Sequence, residues 1–116
     1  MPNSAAPDLT VDRARHRLAE VGAGAALTEL LKDPQFLPRF YAAVALADIG
    51  RPAAAVPVLI EMLKFGDTSF LRMAILSLGK AGPAAKAAVP ALREVQREDR
   101  LGLGADAAEA LQKIGP

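Results

Sequence analysis

The chain repeats itself. The segments AAVALADIG (residues 42–50), AILSLGKAG (74–82) and AAEALQKIG (107–115) match at Ala42, Ala74 and Ala107, at Leu46, Leu78 and Leu111, and at Gly50, Gly82 and Gly115. The steps between them are 32 and 33 residues. A further copy, ARHRLAEVG, matches at Ala14, Leu18, Val21 and Gly22, set back by 28. The stretches between also align: AALTELLKD, PVLIEMLKF and PALREVQRE bring Ala25, Pro57 and Pro90 into register, and likewise Glu29, Glu61 and Glu94. A period of this length marks a small unit that cannot bury its apolar faces alone and must stack on its neighbours.

Each unit reads as two helices. Leu27, Leu30 and Leu31 stand at i, i+3, i+4, and Val56, Leu59, Ile60 and Leu63 extend the pattern to i+7. Ala42, Leu46 and Ile49 show helical spacing in the other helix of the pair. Gly22, Gly50 and Gly82 suit positions just past a helix end, where φ > 0 is wanted. Pro52 and Pro83 cannot continue the old helix but can open a new one. Asp33 and Asp67 look like N-caps, with Pro34 at the first helical position. Composition agrees: 25 Ala, 52% apolar residues and only 4% aromatics point to an aliphatic helical core rather than a sheet. The reading is a single all-α domain over 1–116. A cap helix (8–21) precedes repeats at 23–49, 52–81 and 83–114, about seven helices in antiparallel pairs that form a short right-handed α-solenoid. Pro90 removes an N–H after the first turns of the fifth unit helix, so that helix should bend or restart near Val89. Gly102 and Gly104 in EDRLGLGAD should make the third turn within a pair the longest and most mobile.

AGPAAKAAVPALREV (residues 81–95) and IGRPAAAVPVLIEML (49–63) resemble HEAT-like repeats, particularly the bacterial type found in bilin lyases. The resemblance runs from Leu18 to Pro116. It implies a scaffold that binds other proteins, and it implies that the second helix of each pair lines the concave side. Many HEAT units carry an Asp in the turn and an Arg six residues on, as a polar ladder. Asp33 and Arg39 fit, Asp67 and Arg72 are one residue out of step, and the third unit has no Arg at that slot.

Catalytic chemistry is thinly supplied. The single His, His16, has no Ser in its helix, and there is no Cys for thiolate, disulfide or sulfur–metal chemistry. No cluster of metal-ligating residues appears, so neither a metal nor a cofactor is expected. The paired His-Glu dipeptides of HEAT-like deoxyhypusine hydroxylases are missing, which excludes that activity. GAGAAL (residues 22–27) lacks the third Gly of a phosphate-binding loop and reads as a helix end and turn. Arg13, Arg15 and Arg17 do not share one helix face, and the net charge is +1, so nucleic-acid binding is a minor reading. The N-terminus shows no signal-peptide pattern, and AAAVPVLI (residues 53–60) is far too short to span a bilayer, giving a cytoplasmic expectation. High Ala with Arg above Lys points to a GC-rich bacterial source.

The resemblance also locates a binding surface. Groove-facing slots six and two residues before each key Leu are Asp12 and His16, Phe40 and Val44, Arg72 and Leu76, then Ala105 and Glu109. Phe40, Val44 and Leu76 are apolar where charge is usual. They define an expected partner surface flanked by His16, Arg72 and Glu109, suited to a helix or extended peptide. Ala107, Ala110, Leu111 and Ile114 are a second expected contact, for self-association through the last repeat. The leading function is therefore a non-enzymatic protein-binding scaffold. The alternatives are an enzyme-associated protein of bilin-lyase or chaperone type and a weak nucleic-acid binder.

Overall fold

A computed structural model describes residues 22–115. The expected cap helix, with Asp12 and His16, lies outside the described residues. Helix α1 covers residues 22–30 and α2 covers Phe36–Asp48; α3 is Val56–Phe65 and α4 is Thr68–Ala81; α5 is Val89–Glu98 and α6 is Gly104–Ile114. No strand occurs among the described residues. The α-helices found there are slightly fewer than the seven or so expected for the whole chain.

Consecutive helices pair antiparallel, and the pairs stack: α2 packs on α4, α4 on α6, and α3 on α5. The result is an α-solenoid with α2, α4 and α6 as one layer. Its core is continuous from Phe40 and Leu46 through Leu59, Leu71 and Leu78 to Leu92, Leu103 and Ile114. The residues that align by repeat, Leu46 and Leu78, are 2% and 0% exposed, so the periodicity is the core periodicity. A Cβ placed on Gly79 would lie 3.3 Å from the Ala110 Cα, which shows how closely α4 and α6 approach.

Helix ends follow the sequence in part. Gly50 has φ 79°; its N–H donates to the Ala47 carbonyl at 3.2 Å and the Arg51 N–H donates to the Leu46 carbonyl at 2.8 Å. These two bonds form a Schellman termination. Gly82 closes α4 with φ 61°. Gly22, in contrast, lies within α1, so GAGAAL is helix rather than helix end and turn. The Asp67 carboxylate accepts from the Phe70 N–H at 3.1 Å and caps α4 as expected. Asp33 does not cap α2. It accepts from the Gln35 N–H at 2.8 Å in a local turn, Gln35 is the N-cap, and the helix begins two residues after Pro34.

Both long first helices start later than their prolines suggest. Residues 52–55 form a turn closed by the Ala55 N–H on the Pro52 carbonyl at 2.8 Å, and α3 begins at Val56 with Pro57 in its first turn. Gly82–Ala88 is a 3-10 segment with a kink at Ala85, and α5 begins at Val89 with Pro90 in its first turn. In each case the second proline decides the start: within a longer helix its ring would collide with the carbonyl four residues earlier. The restart at Val89 is the one read from Pro90.

The α5–α6 turn is no longer than the α1–α2 turn: each spans five residues. It is also tied down. Arg100 donates through Nη1 to the Leu63 carbonyl and through Nη2 to the Lys64 carbonyl at 2.7 Å, capping the end of α3 in the preceding repeat. The Asp99 carboxylate accepts from the Gly104 N–H at 2.9 Å.

Candidate binding groove

The expected surface residues separate into three kinds. Phe40 is 0% exposed and belongs to the core, which corrects its placement in the groove. Its ring packs against Phe36 (centroids 6.2 Å), Phe70 (5.8 Å, edge-on) and Tyr41 (5.9 Å). Phe36 in turn meets Phe65 edge-on at 5.0 Å. These five rings are all the aromatic residues of the chain. A ring buried in this cluster gains about 1.5–3 kcal/mol over an exposed one, enough to turn Phe40 inward at a slot where Arg72 of the next repeat stays in water.

Val44 and Leu76 do meet across a groove. Val44 is half-buried and Leu76 is 53% exposed. With Asp48, Met73, Ser77, Lys80 and Lys113 they line a cleft of about 270 Å³ on the α2/α4 side of the solenoid. Leu37, Tyr41, Val44 and Asp48 follow at i, i+4, i+7 and i+11 and share one face of α2. Tyr41 reaches over to Phe70 at the start of α4, with centroids 6.3 Å apart. The apolar strip therefore runs from Leu37 to Asp48, eleven residues or about 16 Å of helix.

Charge borders this strip in pairs. Lys80 donates to Asp48 at 2.8 Å, linking α4 to α2, and Arg72 lies 3.7 Å from Asp106, linking α4 to α6. Glu109 sits 3.6 Å from Lys113 on its own helix. Glu109 lines a narrower cleft between α4 and α6 that shares Leu76 and Lys113 with the first. The Asp33–Arg39 ladder does not form; the Arg39 guanidinium instead lies over the Phe36 ring at 5.2 Å. The cross-repeat ion pairs use other slots, Asp48 with Lys80 and Arg72 with Asp106.

Ser77 forms part of the groove. It is 4% exposed, and its hydroxyl has no hydrogen-bond partner among the described residues. No fully enclosed side-chain N or O lacks a partner, so this hydroxyl opens onto the cleft it lines.

Sequence reasoning missed Tyr41, Met73, Ser77 and the Asp48–Lys80 pair. A signal for the pair existed. Asp48 and Lys80 occupy the same slot in successive repeats, 32 residues apart, with opposite charge. The last-repeat face is also revised: Ala107, Ala110 and Ile114 are buried in the core, and of the expected set only Leu111 lines the outer cleft, beside Val89, Arg93 and Gln96. No group of three or more His, Cys, Asp or Glu side chains converges on a metal-sized site among the described residues. Nor is any described helix long and apolar enough to cross a membrane.

The stacked pairs, the shared core register and the groove along the second helices are the anatomy of one repeat family. A family model described as HEAT repeats matches residues 24–115. The chain belongs to the HEAT-repeat family. The match is to the repeat itself and does not extend to the bilin-lyase type. Comparison with curated proteins and with solved structures gives no match. HEAT repeats commonly mediate protein–protein interaction, and the family is typically a non-enzymatic scaffold.

Proposed function

We propose that this HEAT-repeat protein is a non-enzymatic scaffold that holds a protein or peptide segment in the groove between α2 and α4. The observation that carries the reading is the exposure of Leu76, 53%, beside half-buried Val44 and Met73 in a cleft bounded by ion pairs. Scattered exposed leucines need no explanation, but an exposed leucine completing a 16 Å apolar strip, about three helical turns, is a docking surface. Parallel helices with a trough between them accept an amphipathic helix laid along the trough. Such a partner buries Leu76 and Tyr41, which is 51% exposed, and leaves its polar side to solvent.

Affinity capture with wild type and with Tyr41→Asp plus Leu76→Asp tests this. Both residues are about half exposed, so the variant is expected to melt close to wild type and to lose the partners that wild type retains. Capture of the same partners in equal amount by a folded variant contradicts the groove assignment.

A further inference from the structure

The groove has a chemical polarity along its length. At the end formed by the N-terminal parts of α2 and α4 it is walled by Tyr41 and Phe70, without charge. At the C-terminal ends of the same helices it is walled by Lys80 and Lys113, against the single carboxylate of Asp48. Asp48 is already engaged by Lys80 at 2.8 Å. The Lys113 ammonium lies 3.6 Å from Glu109, over a side chain 53% exposed, a pair loose enough to turn toward a guest. Between the two ends lies the Ser77 hydroxyl, 4% exposed and without a partner among the described residues. A nearly buried hydroxyl left unbonded at a groove floor is costly, and a polar atom of a bound segment relieves that cost.

We infer that the occupant of the groove is an acidic amphipathic helix, with its apolar stripe on Tyr41, Val44, Met73 and Leu76 and a carboxylate on its final turn between Lys80 and Lys113. This inference rests on the groove reading above. Charge complementarity selects the partner: the groove lining carries two cations to one anion, and the uncompensated cation lies at one end only. A basic partner helix meets Lys113 with like charge, and a fully apolar one leaves it and Ser77 without gain. The strip accommodates three helical turns, so four apolar residues at i, i+4, i+7 and i+11 fill it.

The test uses three fluorescein-labelled synthetic peptides of fifteen residues with the full-length protein, read by fluorescence anisotropy. One carries the four-residue leucine stripe with two Glu in its last turn; the second has two Lys there; in the third the stripe is replaced by Gln. The Glu peptide is expected to bind about ten-fold tighter than the Lys peptide in low salt, a preference that shrinks at high salt. Lys113→Glu, at an exposed side chain whose loss leaves the Asp48–Lys80 pair intact, is expected to abolish or invert that preference. The Gln peptide is expected to show no binding. If the two leucine-striped peptides bind equally, and Lys113→Glu changes neither, the acidic-partner inference fails while the groove reading stands. If neither leucine-striped peptide binds, both fail. Light scattering of the protein alone supplies the remaining outcome: a dimer dispersed by Leu76→Asp shows a second copy in the groove and overturns the inference.

Discussion

Replacing Phe40 by Ala removes a ring that touches Phe36, Tyr41 and Phe70 and has no exposed surface. The cavity left among these rings is expected to cost about 3–5 kcal/mol, seen as a clear fall in melting temperature. Leu76→Ala, at a side chain half in water, is expected to change stability by less than about 1 kcal/mol. The two residues stand alike in a sequence pattern, as apolar side chains at slots that usually carry charge, and they differ in what surrounds them. Nothing local to Phe40 announces that Phe65 and Phe70, 25 and 30 residues on, close over it. The slot rule located Val44 and Leu76 on the groove because it describes backbone register. It misplaced Phe40 because side-chain direction there is set by a cluster assembled from three helices. Arg100 makes a second residue-scale contrast. Its guanidinium holds the Leu63 and Lys64 carbonyls at the end of α3. Arg100→Ala is expected to lose about 1–2 kcal/mol in chemical denaturation, the worth of a charged cap that is part exposed.

At the scale of the helices, the legible features were those governed by the local chain. The core period over Leu46, Leu78 and Leu111 needed only spacing, and the Asp67 cap needed only its own turn. Asp67→Ala is therefore expected to cost about 1 kcal/mol, measured by urea unfolding, and to fray the first turn of α4 in hydrogen exchange. The starts of α3 and α5 were legible only where the inner proline was weighed. Pro90 was, and the restart at Val89 followed; Pro57 occupies the same slot and gives the same start at Val56. The EDRLGLGAD turn illustrates the opposite case. Its glycines suggest freedom, yet Arg100 and Asp99 fix it through partners that composition does not reveal.

For the whole molecule, stacking creates the site. Neither α2 nor α4 has a groove alone; the cleft exists because one repeat lies against the next, and the Asp48–Lys80 pair crosses that junction. An exposed pair of this kind contributes little to stability, so Asp48→Ala is expected to leave melting within about 1 kcal/mol of wild type. The most direct test of the groove is a methyl NMR titration of the full-length protein with the leucine-striped peptide. Saturating peptide is predicted to shift the Val44, Met73 and Leu76 methyl signals together while those of Val89 and Leu111, on the last repeat's outer cleft, stay in place. Shifts at Val89 and Leu111 with Val44, Met73 and Leu76 unmoved would contradict the assignment of the partner site to the α2/α4 groove.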